Sequence, residues 1–247
     1  MQKEKRARSI KKKGEASGPR VEAIVFDAYG TLFDLDSFGR DAEQIHHGYG
    51  KEIAGIVRQK QIEFAMTRTI LGKYVDFEIL TRNAIEFALK ETGIKRTDAG
   101  VEKLYSAFQN LKPYKDVAKA LNDLDALEEL KVAVLSNGTE AMLDKLMEHA
   151  DLTFLSEGII SVDEAKAYKP SPKAYLHGQN TLEIFEKEKV FYISGNSWDV
   201  AGAKAFGFLV GWINRTKQPL FDEGFYDFRP DFEFSSLEEI AELFEDE

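Results

Sequence analysis

Short apolar runs recur along the chain, and stretches with helical periodicity separate them. The strand-like runs lie at residues 21–26, 132–135, 158–162, 190–193 and 208–213. Residues 115–129, 139–149, 172–188 and 197–206 have helical spacing, and a capping box at Ser236 and Glu239 begins a last helix. Strands that alternate with helices in this way indicate βαβ units. The pattern therefore predicts an α/β fold with a doubly wound, mostly parallel Rossmann-like sheet.

One interval, residues 36–111, breaks this alternation. Helical periodicity occurs at 53–71, at 77–93 and near 99–110, and no convincing strand interrupts it. In open α/β sheets, ligands bind beyond the carboxyl ends of the strands, so helices inserted directly after the first strand would cover a site and exclude water. We predict a basic tail at 1–20, a core of 21–35 and 112–247, and a helical cap subdomain at 36–111.

Charge and composition narrow the classes of protein that fit. The chain has no cysteine, which excludes disulfides, a thiol nucleophile and thiolate metal ligands. Residues 1–20 carry eight basic and two acidic side chains, so the tail is expected to be disordered, while the rest has a net charge of −16. An acidic body argues against nucleic-acid binding, and no apolar stretch approaches the ~20 residues of a membrane helix. We expect a cytoplasmic protein.

Polar side chains follow four of the predicted strands. Asp27 ends the first run, in IVFDAYGTLFD, and Ser136 and Asn137 follow VAVL. Lys169 lies in AYKPSP, and SGNSWD runs from Ser194 to Asp199. Each could be a turn, cap or solvated loop residue by itself. In a parallel sheet, however, all four segments meet at one edge, which predicts a site there.

The histidines do not contribute to this predicted site. None follows a predicted strand, and their spacing matches neither a Ser/His/Asp arrangement nor a metal site. We therefore expect all four at the surface: His46, His47, His149 and His177.

The four segments, in this order, resemble the signature motifs of the haloacid dehalogenase superfamily, most of whose members are magnesium-dependent phosphatases. DAYGTLFD, RQKQIEF, LSNG, YKPSPKAY and NSWDVAGAKAFGF…WINR more closely resemble the hydrolytic L-2-haloacid dehalogenases. The resemblance extends over residues 21–247, and the helical interval falls where that family has its cap. It implies a homodimer that needs neither metal nor cofactor, with a small 2-haloalkanoic acid as substrate and halide as product.

Two positions separate the dehalogenase from the phosphatase reading. A phosphatase needs Mg²⁺ and an acid two residues after its nucleophile, where this chain has Tyr29. Asn196 replaces the first carboxylate of the metal loop. A 2-haloacid is a monoanion and halide leaves without a proton, so neither group is needed. A magnesium-dependent phosphatase and a non-catalytic protein that binds small anions remain as alternatives.

The resemblance also implies the mechanism. Asp27 attacks C2 of an L-2-haloacid, and water then hydrolyses the aspartyl ester to a D-2-hydroxyacid with inversion. Lys169 supplies a fixed charge, Tyr175 supports Lys169, and either Asp199 or Lys169 activates the water. The catalytic residues that surround Asp27 and Lys169 through hydrogen bonds are Thr31, Ser194, Asn196 and Asp199.

Further residues are implied in substrate binding. Ser136, Lys169 and the main chain at Ala28 would bind the substrate carboxylate. Arg58, Asn137 and the edge of Trp198 would surround the departing halide, with Arg58 delivered from the cap. The mostly apolar wall around the alkyl group would consist of Tyr29, Gln59, Ile62, Phe77 and Trp198.

Overall fold

The computed structural model of the protein describes residues 8–9, 19–127, 130–152, 158–221 and 227–244. Most of the predicted tail lies outside these residues. Of the tail, Arg8–Ser9 forms a short strand that pairs antiparallel with Arg20–Val21. The last residues of the predicted C-terminal helix, 245–247, also lie outside the described ranges.

The strands of the described residues are β1 (Arg8–Ser9), β2 (Arg20–Val21), β3 (Ala23–Phe26), β4 (Phe33–Asp34), β5 (Lys112–Pro113), β6 (Lys131–Ser136), β7 (Ile159–Ser161), β8 (Val190–Ser194), β9 (Leu209–Ile213) and β10 (Phe232–Phe234). Six of them form one parallel sheet, in the order β10-β9-β8-β3-β6-β7. The chain runs outward from β3 to one edge and then returns to build the other side, so β3 lies at the switch point where doubly wound sheets bind ligands. The predicted fold is confirmed.

The α-helices begin at side-chain caps in several places. Asp76, Thr97 and Thr139 each accept a hydrogen bond from a main-chain N–H in the first turn of their helix. The helices of the described residues are α1 (Leu35–Ile45), α2 (Gly50–Ile70), α3 (Phe77–Glu91), α4 (Asp98–Gln109), α5 (Val117–Asp125), α6 (Glu140–His149), α7 (Pro172–Thr181), α8 (Ser197–Phe206) and α9 (Glu238–Glu242).

Several elements differ from the prediction. The helix predicted at 172–188 ends as α7 at Thr181, because Glu183 takes a left-handed backbone conformation (φ +55°) that stops the helical ladder. Helix α1 was not predicted, since it buries only three side chains. The two-residue strands β1, β4 and β5 are too short to show a pattern, and β10 (Phe-Glu-Phe) contains no continuous apolar run.

Helices α1 to α4, residues 35–109, form what we call the helical block. The chain leaves the sheet domain through β4 and returns through β5, and these two short strands pair antiparallel. Within the block α2 packs between α1 and α3. In the described part of the chain, no helix is long and apolar enough to cross a membrane.

Candidate active site

Asp27 follows β3 directly and is buried at the switch point of the sheet. All four residues of β3 are buried on both faces, which fixes the direction in which the chain delivers this carboxylate. Asp27 Oδ1 accepts a hydrogen bond from Lys169 Nζ (2.8 Å). Its Oδ2 accepts from Thr31 Oγ1 (2.7 Å) and from Asn196 Nδ2 (2.8 Å). Three donors therefore hold the carboxylate in one orientation.

Lys169 is the buried cation of the site. Its Nζ lies 2.8 Å from Asp27 Oδ1 and 2.9 Å from Asp199 Oδ2, and it also contacts the carbonyl of Leu135 (2.9 Å) and the hydroxyl of Tyr192 (2.7 Å). Burial by itself would lower the pKa of Lys169, but the charges of Asp199 and Asp27 raise it above the usual value. The side chain therefore stays an ammonium ion beside the Asp27 carboxylate.

Asp199 lies behind Lys169 and has no exposed surface. Burial raises the pKa of Asp199, and the charge of Lys169 opposes this effect. Its carboxylate also accepts from the hydroxyls of Tyr175 (2.7 Å) and Tyr192 (2.8 Å). Tyr175 thus contacts Asp199, and its predicted support of Lys169 is indirect. Tyr192 was missed, although a tyrosine in a fully buried strand needs a partner for its hydroxyl.

The turn after Asp27 is built by the main chain. The carbonyl of Ala28 accepts hydrogen bonds from the N–H groups of Thr31 (3.2 Å), Leu32 (2.9 Å) and Phe33 (3.0 Å). Thr31 Oγ1 in turn accepts from the N–H of Gly195 (2.8 Å), which ties this turn to the loop after β8. Thr31 therefore links two loops while it donates to Asp27.

Two predicted serines shape loops. Ser194 Oγ accepts a hydrogen bond from the N–H of Asn196 (3.1 Å), and Ser136 Oγ accepts from the N–H of Gly138 (3.2 Å). Both serines are fully buried, and neither lines the cavity beside Asp27. The structure brings both close to the site, at the ends of β6 and β8.

A small cavity of about 20 Å³ lies beside Asp27 and Lys169. This is little more than the ~10–15 Å³ that one water molecule needs. Residues from both the helical block and the sheet domain enclose it. Besides Asp27 and Lys169 its wall contains Tyr29, Arg58, Gln61, Ile62, Ala65, Phe77, Asn137 and Trp198.

One face of α2 supplies four of these residues. Gln61, Ile62 and Ala65 follow Arg58 by three, four and seven positions, which is the spacing of one helix face. The structure places Gln59 on the exposed face of α2, outside this cavity, so its role in the wall stays a prediction. One residue beyond Arg58 lies about 100° around the helix. The same periodicity could have identified Gln61 and Ala65.

Arg58 crosses from the helical block to the sheet domain. Its Nη2 donates to Asn196 Oδ1 (2.8 Å), and the Nδ2 of that amide donates to Asp27. Burial lowers the pKa of Arg58, while Asp27 and Asp199 oppose this effect, and a guanidinium stays charged in proteins. Asn137 Oδ1 accepts from the N–H of Lys169 (2.9 Å), which leaves its Nδ2 donor for the cavity.

Tyr29 lies in the position where a phosphatase would carry its second acid. Its ring packs against Phe77 and Phe108, with centroids 5.6 and 5.3 Å away. The hydroxyl is buried and has no hydrogen-bond partner among the described residues. Burial raises the pKa of Tyr29, so this side chain is not an acid at neutral pH.

The oxygen atoms at this site do not fit a magnesium ion, which requires several oxygen ligands that are free of other bonds. Asp27 and Asp199 both bond to the ammonium of Lys169, and Asp199 is outside the cavity. Asn196 donates from Nδ2, and its Oδ1 accepts from Arg58. Nowhere in the described ranges do three or more His, Cys, Asp or Glu side chains form a group that could hold a metal ion.

The histidines lie away from the site. His47 and His149 are exposed and His177 is partly exposed, as predicted. His46 directly follows α1 and is also partly exposed, but its Nε2 is buried without a hydrogen-bond partner among the described residues.

Fold and site together define an α/β enzyme-like protein with a helical insertion and a buried Asp–Lys pair at the sheet switch point. A family model described as haloacid dehalogenase-like hydrolase matches residues 21–207, and the chain belongs to this family. This confirms the resemblance drawn from the sequence.

Relatives cover nearly the whole chain. An (S)-2-haloacid dehalogenase of Pseudomonas fluorescens is 34% identical over 90% of this chain and 95% of its own length. Haloacetate dehalogenase H-2 of Moraxella sp. (strain B) is 38% identical over 79% of this chain and 87% of its own. The structure of the L-2-haloacid dehalogenase from Xanthobacter autotrophicus with chloropropionic acid covalently bound superimposes with a TM-score of 0.80 and 34% identity, covering 90% and 98% of the two chains.

Proposed function

We propose that the protein is an L-2-haloacid dehalogenase that hydrolyses L-2-haloacids to D-2-hydroxyacids through a covalent ester on Asp27, without a metal ion. The observation that carries this proposal is the Asp27 carboxylate, bonded to a buried ammonium at 2.8 Å and facing a small cavity that Arg58 also lines. The names of the similar proteins support the same substrate class.

In the first step a carboxylate oxygen of Asp27 attacks C2. Oδ2 already accepts two hydrogen bonds and Oδ1 only one, so Oδ1 keeps a lone pair for the new C–O bond. The carbon–halogen bond breaks as the C–O bond forms, and the electron pair leaves with the halide. Arg58, Asn137 Nδ2 and the edge of Trp198 line the cavity where the halide develops its charge.

In the second step water attacks the ester carbonyl of Asp27. The hydroxyl oxygen of the product therefore comes from Asp27, and an oxygen from water replaces it in the carboxylate. Thr31 and Asn196 hold Oδ2 throughout. We assign one proton of this water to Asp199, which it reaches through Lys169, because Lys169 lines the cavity and contacts Asp199. The second proton of the water moves to the product oxygen as the ester C–O bond to the Asp27 carbonyl carbon breaks, which forms the product hydroxyl. Asp199 then loses its proton to solvent, so each turnover releases one proton. Product release restores both the Asp27 carboxylate and the bond to Lys169.

The charge balance of the site favours a monoanionic substrate. Two cationic side chains, Lys169 and Arg58, line the cavity, and Lys169 pairs with the carboxylates of Asp27 and Asp199, so the charges of the four groups balance. A 2-haloacid adds one negative charge, and after attack the halide replaces the charge that Asp27 loses. A phosphate dianion would add two without a metal ion, which is costly in a buried site.

The helical block is, in this proposal, a cap that covers the site and brings Arg58 to it. We also propose that the protein forms a homodimer through this cap. At the C-terminal end of α2, Ile70 and Leu71 expose 83% and 65% of their surface, which is unusual for neighbouring large apolar residues. Sedimentation equilibrium of wild type and of Ile70→Lys would test this, since the charge would separate a dimer that uses this end of α2.

Chloride release tests the proposed reaction. With L-2-chloropropionate and excess chelator, we expect equal amounts of chloride and D-lactate, and neither from the D enantiomer. In ¹⁸O-water, repeated turnover should place ¹⁸O in the peptide that contains Asp27, because water attacks that carboxyl carbon.

Asp27→Asn is the matched control, since it preserves shape and removes the nucleophile. We expect it to release no chloride. Turnover of a small phosphate ester only with Mg²⁺ would contradict the proposal and identify a phosphatase. Binding of 2-haloacids without turnover of either substrate would instead identify a binding protein.

A further inference from the structure

The loop that leads to Lys169 is bonded to the helical block at three points. The main-chain N–H of Tyr168 donates to Thr69 Oγ1 (3.0 Å), at the end of α2. The hydroxyl of Tyr168 donates to the carbonyl of Val75 (2.6 Å), in the connection between α2 and α3. From that same connection, Tyr74 donates its hydroxyl to Asp163 Oδ1 (2.8 Å). Two of these bonds are donated by the loop to the block, and the third is donated by the block to the loop.

Aromatic packing continues from these contacts to the cavity. The rings of Tyr74 and Tyr168 lie 4.8 Å apart, and Tyr168 packs edge-on against Phe77 at 5.9 Å. Phe77, the first residue of α3, packs on Tyr29 at 5.6 Å, and both line the cavity. Movement of the block away from Tyr168 would thus also move Phe77 and open this wall.

The sheet-domain side of this contact is itself fixed. Asp163 accepts from Lys166 Nζ (3.0 Å), and its N–H donates to Ser161 Oγ (3.1 Å). Ser161 Oγ donates to the carbonyl of Gly138 (2.6 Å), next to Asn137 of the cavity wall. Burial opposes ionisation of Asp163, but Lys166 and Tyr74 lower its pKa below the usual value, so it is a carboxylate acceptor at neutral pH.

The contact is well separated from two other attachments of the block. Covalently, the block joins the sheet domain through β4 and β5. Arg58 bonds to Asn196 from the middle of α2, and Thr69 lies eleven residues further along, about 16 Å at 1.5 Å per residue. The bonds to Tyr168 therefore secure the far end of α2, which neither β4 and β5 nor the Arg58 bond reaches.

We propose that Tyr168, with Tyr74 and Asp163, is a latch that holds the helical block closed over the cavity. Tyr168 is a positioning residue, because it is the chain neighbour of Lys169 and bonds to the block through both its main chain and its hydroxyl. The closed block thereby also holds the chain neighbour of Lys169 in place. The kinetic consequence rests on the proposed dehalogenase function, but the structural consequence does not.

Tyr168→Phe and Tyr74→Phe each remove one hydroxyl of the latch and keep the rings. We expect the KM for L-2-chloropropionate to rise about five- to tenfold in both, because a more open block binds substrate less well. In Tyr168→Phe, kcat should fall as well, because Lys169 loses its alignment, whereas Tyr74→Phe should change kcat little. Tyr49→Phe, an exposed tyrosine of the block outside the latch, should match wild type in both constants.

Hydrogen exchange of the peptide 162–169 is the readout that does not depend on activity. The Tyr168 amide is protected by its bond to Thr69, so its exchange should speed up several-fold in both latch variants and not in Tyr49→Phe. If wild type released no chloride, the proposed function would fail while this measurement still tested the latch. Unchanged exchange in both latch variants, with circular dichroism showing a native fold, would overturn the latch.

Discussion

At the residue scale, the contacts of Lys169 show how the protein stabilises a buried charge. Water is replaced around its ammonium by two carboxylates, a carbonyl and a hydroxyl, all within 2.9 Å. Removing one partner would leave an unpaired ion in the interior, which typically costs about 3–5 kcal/mol. The same bonds that stabilise the ion also orient Asp27, so stability and proposed chemistry depend on one network.

The pH dependence of activity should reflect this network. Burial lowers the pKa of Lys169, but Asp199 and Asp27 raise it more, above a usual value of about 10.4. A pKa raised on folding means that the stabilisation is complete below the unfolded pKa and is lost as pH rises through the folded pKa. We therefore expect kcat to show no loss attributable to Lys169 between pH 7 and about pH 10. A decline centred near pH ~8 in the kcat profile would show instead that burial dominates.

The hydroxyls of Tyr29 and Tyr192 are both buried, but we expect their removal to change the stability of the protein in opposite directions. The hydroxyl of Tyr29 has no partner among the described residues, whereas that of Tyr192 contacts Lys169 and Asp199. An unmade hydrogen bond costs about 1–3 kcal/mol. Tyr29→Phe should therefore raise the free energy of unfolding by about 1 kcal/mol, and Tyr192→Phe should lower it by about 1–3 kcal/mol. Urea unfolding measures both, and a destabilised Tyr29→Phe would mean that ordered water satisfies this hydroxyl.

At the scale of elements, helix α2 forms one wall of the cavity, because its inner face provides Arg58, Gln61, Ile62 and Ala65. Two glycines of this helix have very different surroundings. A Cβ on Gly50 would lie 2.5 Å from the main-chain carbonyl oxygen of Gly39, while a Cβ on the exposed Gly55 would meet nothing within 4 Å. Gly50 is therefore required where α1 and α2 cross, and Gly55 is not required by packing.

Alanine at these two positions tests this difference. Gly55→Ala should raise the free energy of unfolding by about 1 kcal/mol, because alanine loses less backbone entropy in a helix. Gly50→Ala should lower it despite the same gain in propensity, because α1 or α2 must move. The shift of the urea midpoint at constant slope measures both effects. Equal shifts of the same sign would contradict the close approach at Gly50.

How far the sequence predicts the structure also differs by element. The buried parallel strands could be predicted from the sequence because each is a continuous apolar run, as in β3. The first polar residue after such a run lies at the edge of the sheet where the site is. On α2 the helix period from Arg58 selects Gln61 for the cavity face, whereas the resemblance to the family motif selects the neighbouring Gln59. Tyr192 and the Tyr168 contacts depend on segments far apart in the chain, and no local pattern encodes such pairs.

The charge distribution concerns the whole molecule. The net charge is −10, with +6 on residues 1–20 and −16 on the rest. A monoanionic substrate approaches a body of like charge, and Arg58 and Lys169 attract it only once it is inside the Debye length. Long-range repulsion and short-range attraction therefore act at different distances, and salt can separate them.

Ionic strength should accordingly raise kcat/KM and leave kcat unchanged. The Debye length falls from about 30 Å at 0.01 M to about 8 Å at 0.15 M, so added salt screens the body before it screens the cavity. We expect kcat/KM for L-2-chloropropionate to rise about two- to threefold over this range in sodium sulfate, which avoids product chloride. Deleting residues 1–18 removes net positive charge and should steepen the rise. A kcat/KM that falls with salt in both proteins would show that attraction by Arg58 and Lys169 reaches beyond the cavity and governs the approach of the substrate.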